Sequence, residues 1–176
     1  RQNILVRDWF QLPLRLLSLF PICSAGFLEK GAKHCAEHGI DPNTLVETRL
    51  APDMFPLVRQ VRAATDHAIN ACGRLAGADM PSFSNTETTI PELKDRIAKT
   101  IDFLKGLKPA QIDGSEDKAI KITFPSGATR EFTGQSLLLT NALPNFYFHC
   151  TTAYDILRHC GIELGKRDFM GTPVSL

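Results

Sequence analysis

Apolar positions recur along most of the chain at the three- and four-residue spacing of amphipathic helices, and the pattern predicts four of them. The first grows out of an apolar run at 16–28, continues as FLEKGAKHCAEHG and ends at His38, where Gly39 and then Asp41-Pro42 supply stop signals. The second is expected to start near Ala51-Pro52-Asp53, with proline in the first turn and an acid at the positive end of the dipole, and to reach about Leu75 ahead of Gly77. A polar loop from Asp79 to Glu87 follows. The third begins at Thr89-Ile90-Pro91-Glu92, where Thr89 can cap, and Leu93, Ile97, Ile101 and Leu104 form its buried stripe.

The period then changes. Residues 119–124 (AIKITF) and 128–133 (ATREFT) alternate around Pro125-Ser126-Gly127, which reads as a β-hairpin that must pack against the helices. Gln135 or Ser136 opens the longest helix, which runs to about Cys160 and stops at Gly161, with Pro144 expected to kink or restart it. The fold class is mainly α: a four-helix bundle with a β-hairpin inserted between helices 3 and 4.

Placing side chains at about 100° per residue sorts the faces. On helix two Leu57, Val61, Ala64, Ala68, Ala71, Cys72 and Leu75 share one side, with Arg59, Arg62, Asp66 and Arg74 roughly opposite. Asp53, Gln60 and His67 recur every seven residues as a polar seam, which can line a pocket between helices or be the wet margin of a buried stripe. On helix four Leu139, Ala142, Leu143, Phe146, Cys150, Ala153, Leu157 and Cys160 share a face, and His149 lies on its flank. A histidine there is either a satisfied core residue or a ligand or catalytic group, because its ring nitrogens need partners in either case.

Composition narrows the classes of function. The 176 residues suit one domain, and 43% hydrophobic with 22% charged residues are ordinary for a globular fold. Twenty basic against nineteen acidic residues leave a formal charge of +1, without the basic field of a general nucleic-acid binder. Neither a basic amphipathic helix nor a membrane-length apolar run is visible, so neither nucleic acid nor membrane is an expected partner. The run at 16–28 resembles a short signal-peptide core, against which stands the reading as the first half of helix one. Five cysteines without a C-x-x-C pair argue against a disulfide framework or structural zinc, and the expected location is cytoplasmic.

His34 and His38 have ligand spacing, but in an up-down-up-down bundle helix one would end at the opposite pole from helix four, so they would not converge with His159. No phosphate-binding glycine loop, zincin pattern or nucleophile elbow occurs.

Two blocks carry a resemblance. Arg49-Leu50-Ala51-Pro52-Asp53-Met54-Phe55-Pro56-Leu57 with Gln60-Val61, and Leu143-Pro144-Asn145-Phe146-Tyr147-Phe148-His149 with Thr151-Thr152-Ala153-Tyr154 and Ile156-Leu157-Arg158-His159, resemble the family called domain of unknown function 1993 (DUF1993), as does Gly165-Lys166-Arg167-Asp168-Phe169. The resemblance covers roughly residues 28–170. It divides the chain into an N-terminal extension or first part of helix one (1–26), a bundle domain (27–170) and a tail (171–176). It implies the fold of the DinB/YfiT-like four-helix bundles. In that wider group many members hold a divalent metal on three histidines, one on helix two and an H-x-x-x-H pair late in the bundle, and metal-dependent members include thiol-dependent transferases. A divalent metal is therefore the cofactor the resemblance implies, and a homodimer the assembly. The three-histidine set is not matched here: Asn145 stands four before His149 and Ala153 four after it, while helix two offers Asp53, Gln60 and His67.

Two functions remain open. The first is a small-molecule site in the bundle lined by Asp53, Gln60, Asn145 and His149, with Tyr147 and Tyr154 nearby and His149 as general base or acid oriented by Asp53 or Asn145. The second is a non-catalytic binding or oligomeric helical module in which these polar groups fix helix register.

Overall fold

The computed structural model describes residues 25–123 and 126–171. Most of the signal-peptide-like run and nearly all of the 1–26 segment thus lie outside the described residues. Residues 25–28 are helical, and Phe27 and Leu28 are buried in the core.

Helix α1 occupies 25–38 and stops where Gly39 takes a positive φ of 64°. A short α2, Pro42–Glu47, follows, its N-cap Asp41 accepting from the Asn43 amide. Helix α3 is Leu57–Ala76 and ends on left-handed Gly77. It starts later than the sequence pattern suggests. Residues 51–54 close into a turn through Met54 N–H to the Ala51 carbonyl, Pro56 itself is extended (φ −68°, ψ 164°), and a residue before proline is biased away from the helical region, so the helix begins only after that proline. Helix α4, Ile90–Gly106, opens on the expected Thr89 cap, which the Glu92 side chain completes into a capping box.

After a one-turn α5 (Pro109–Ile112) come β1 (Ala119–Thr123) and β2 (Thr129–Thr133), antiparallel with Ala119 opposite Thr133. Ile120 buries the hairpin into the core, and Lys118 on its approach donates to the last carbonyls of α3 at Arg74 and Leu75.

The last long helix runs without a break through α6 (Gly134–Ser136), a π-helical stretch (Leu137–Ala142) and α7 (Leu143–His159). Pro144 does not break it, and stands in the first turn of α7, where the π-helical stretch gives way to α-helix. Proline lacks an N–H and crowds the carbonyl four residues back, and the wider turn ahead of it, closed by Leu143 N–H to the Leu138 carbonyl, accommodates both. Gly134 sits where no side chain fits, since a Cβ would fall 1.9 Å from the Ser115 carbonyl oxygen. A short α8, Lys166–Met170, closes the described chain.

The bundle is not up-down-up-down. Arg96 of α4 meets Thr65 and Asp66 of α3, and further along Phe103 lies near Gly73, so these consecutive helices are parallel. Gln60 of α3 meets His149 of α7 while Leu75 lies near Gly134, which makes that pair antiparallel. Phe27 contacts Tyr154, Gly31 lies against Leu157 and Gly161 against His34, so α1 and α7 are parallel. The order is up-down-down-up. Helix α1 and helix α7 therefore end at the same pole, contrary to the expectation that separated His34 from His159. Even so, among the described residues no three His, Cys, Asp or Glu side chains are placed to hold a metal.

Parallel α3 and α4 require residues 77–89 to travel back along the bundle. Arg96, 1% exposed, holds that return strand: its guanidinium donates to Thr65 Oγ1, Asn85 Oδ1, Glu87 Oε1 and Asp66 Oδ1, with Phe83 stacked on it. Glu87 also faces Arg62 Nε at 3.1 Å. Burial pushes the Glu87 carboxyl up, but its bonds to Arg96, its own backbone and the nearby charges of Arg96 and Arg62 outweigh this and leave it below the usual range.

Candidate functional site

The loop 48–57 is closed by the Leu57 N–H on the Thr48 carbonyl and held by Arg49, whose Nη1 reaches the Pro52 and Met54 carbonyls at 3.5 and 3.4 Å. Its last residue before Pro56 is Phe55. One turn into α3, Gln60 is 1% exposed and donates Nε2–H to the Phe55 carbonyl at 3.0 Å.

A carbonyl only accepts, so this bond fixes which end of the Gln60 amide points where. Its Oε1 is left facing His149 Nδ1 at 2.7 Å. An oxygen there demands a proton on Nδ1, and the neutral ring then carries its lone pair on Nε2. Three residues on two helices and a loop thus set one tautomer.

His149 is 9% exposed, and parallel rings lie beside it: Phe55 with centroids 6.3 Å apart at 7°, and His67 at 5.6 Å and 14°. Phe148 meets it edge-on at 5.3 Å. Burial, helped by the neighbouring His67 ring, pulls the His149 pKa down to about 4. Burial lowers that of His67 as well. Both imidazoles are therefore neutral at pH 7.

The other sequence-predicted residues fall in different places. Asp53 is exposed in the 51–54 turn, not on α3, and the position that would orient His149 is filled by Gln60. Asn145, one turn before His149, gives its Nδ2–H to the Asn141 carbonyl. Tyr147 is 36% exposed and packs edge-on against Phe146; burial and then Cys150 raise its phenol pKa. Tyr154 belongs to an aromatic group with Phe27 and Phe169, its hydroxyl on the Leu164 carbonyl.

The pattern reading missed Phe55, which supplies both a ring and the carbonyl that starts the relay. His67, open between pocket and margin on spacing, proves to be a ring neighbour of His149. The one available signal was the pair Gln60 and His67 seven apart, two helical turns on one face.

The three-histidine metal set of the DinB-like bundles does not fit this donor set. Of five histidines in the chain, only His67 and His149 meet here, and His149 Nδ1 is already engaged by an amide oxygen. Among the described residues no thiol joins them in a metal-holding group, and burial pushes the Cys72 pKa up to about 12 and raises that of Cys35 too.

Beside Phe55 opens a cleft of about 430 Å³, lined also by Arg49, Asp53, Arg59 and Arg62. Among the described residues no helix is long and apolar enough to cross a membrane.

The chain is similar over 99% of its length, and 99% of the other's, to a protein whose crystal structure was determined at 1.83 Å, a DinB family member from Shewanella denitrificans, with 32% identity and a TM-score of 0.87. No curated protein matches the chain. The model of the family described as domain of unknown function (DUF1993) matches residues 23–170, the stretch that holds the relay, the cleft and the return strand, and the chain belongs to that family.

Proposed function

We propose that the protein binds a small molecule at the His149 ring and can transform it by proton transfer to Nε2. The observation that carries this reading is the relay from the Phe55 carbonyl through the Gln60 amide to His149 Nδ1, which presents a lone pair of fixed direction. A core histidine needs only satisfied nitrogens. This one is held in a single tautomer that leaves Nε2 as an acceptor at every pH above about 4.

The test is hydrolysis of p-nitrophenyl acetate by wild type and His149→Phe. A surface imidazole loses activity as pH falls through its ordinary value near 6.5. The His149-dependent component should stay level from pH 8 down to about pH 5, because its pKa lies near 4. Equal rates for both proteins, or a profile falling near pH 6.5, would overturn the reading.

A second reading, a homo-oligomeric module without catalysis, draws on Tyr147 and Phe148, 36% and 56% exposed on the same helix. A doubled mass in light scattering, lost in Phe148→Ser, supports it.

A further inference from the structure

Outside the His149 relay, the charged cleft beside Phe55 is continuous with that relay, because Phe55 is a wall of both. We propose that this cleft receives the anionic end of a small organic molecule, a carboxylate or phosphate, whose apolar body rests on Phe55 near His149. The proposal names the class of ligand for the site under Proposed function and so rests on that reading.

The arginines carry the argument. The Arg59 guanidinium lies 3.8 Å from the centroid of the Phe55 ring. An arginine stacked on an aromatic face keeps its in-plane N–H donors free, the geometry that matches a carboxylate or phosphate. Arg49 spends only Nη1 on loop carbonyls, and those bonds are long. Among the described residues neither Arg49 nor Arg59 has a carboxylate partner, whereas Arg62 is occupied by Glu87. Glu87 is in turn shared with buried Arg96, so it does not neutralise the cleft further.

The remaining acids on the lining, Glu47 and Asp53, are exposed and make no ion pair among the described residues. Arg49 and Arg59 are exposed as well, so water screens both signs, and what distinguishes Arg59 is that the Phe55 ring holds its guanidinium in place. The first turn of α3, whose Val58 also lines the cleft, carries no acidic residue, and its dipole adds positive potential. The volume of about 430 Å³ suits a molecule of small-metabolite size.

The probes are benzoate, phenyl phosphate and neutral benzamide, titrated into the full chain and followed by amide and histidine ring chemical shifts. Benzoate or phenyl phosphate should bind at least about tenfold more tightly than benzamide, the equivalent of one charge-assisted bond. Arg59→Gln should remove that advantage while leaving the spectrum folded. A bound anion should also raise the His149 midpoint from about 4, since negative charge nearby favours the imidazolium.

Equal binding of all three probes, or unchanged benzoate binding in Arg59→Gln, would overturn the proposal. Which of the two anions binds more tightly tells a carboxylate ligand from a phosphate one. Anion binding that depends on Arg59, without any His149-dependent ester hydrolysis, upholds the subsite and rejects the reactive histidine. The converse rejects the subsite alone.

Discussion

Replacing His149 by leucine should make the protein less dependent on pH as well as less stable. At pH 7 the wild-type ring is neutral whether the chain is folded or not, so the substitution removes packing and leaves buried Gln60 Oε1 without its donor, a cost of about 1–3 kcal/mol. On acidification the two proteins diverge in behaviour. The unfolded wild-type chain takes a proton on this residue near the ordinary 6.5, the folded one only near 4. A depressed folded pKa means that stability is whole above the unfolded value and drains away as pH falls through the interval. At pH 5 the unfolded imidazole is almost fully charged and the folded one about a tenth charged, which corresponds to a loss of about 2 kcal/mol in the wild type and none in the variant.

Urea unfolding followed by far-UV circular dichroism at half-unit steps from pH 7.5 to 5 measures both curves. The gap between wild type and His149→Leu should narrow by about 2 kcal/mol over that range. The carboxylates common to both proteins cancel. His67, which touches the substituted ring and is itself pulled down by burial, does not, so the pair is repeated in a His67→Leu background. A gap constant to within about 0.5 kcal/mol in both backgrounds would refute the idea of a desolvated, neutral His149.

Three other outcomes follow from the geometry. Arg96→Met should lower the urea midpoint by the equivalent of about 3 kcal/mol, the low end for a broken buried pair because Glu87 keeps Arg62 and Asp66 is 40% exposed, and limited proteolysis should then cut within 77–89. Gly134→Ala should destabilise by about 3 kcal/mol or more on thermal melting, since the 1.9 Å approach is to a backbone oxygen, whereas Gly73→Ala, which meets the flexible end of Met80, should cost less. Gln60→Glu places a carboxylate against His149 Nδ1 and should raise its NMR titration midpoint well above about 4; an unchanged midpoint contradicts the contact.

Local chemistry made much of the fold legible. Thr89 with Glu92, the stops at Gly39 and Gly77, and the Ser126-Gly127 turn each act within a few residues, so their signatures survive in the sequence. Helix direction did not. Whether α4 runs parallel or antiparallel to α3 depends on whether 77–89 turns at once or returns along the bundle, and that is settled by Arg96 reaching Asn85 and Glu87. Periodicity put His149 on a buried flank and Gln60 on a seam, yet it carries no information on which end of an amide faces a ring. Tyr154 shares a helix with His149 but faces the Phe27 and Phe169 cluster, a partner choice that becomes visible only once α1 is known to lie parallel to α7.

The misplaced start of helix α3 and the missed role of Phe55 are one fact seen twice. Had the helix begun at Ala51, the Phe55 carbonyl would have accepted the Arg59 N–H four residues on and would have had nothing to offer Gln60. Pro56 prevents this. A proline there disfavours the helical region for Phe55, and the first amides of the helix, Arg59 and Gln60, turn instead to the Pro56 carbonyl. The Phe55 oxygen is thereby left outside the helical ladder, within reach of a side chain one turn further along. Gln60 fills that place at 3.0 Å, and with its amide pinned, His149 has no choice of tautomer. Because the same loop presents the Phe55 ring to Arg59, the proline that delays the helix also positions the wall shared by the relay and the cleft.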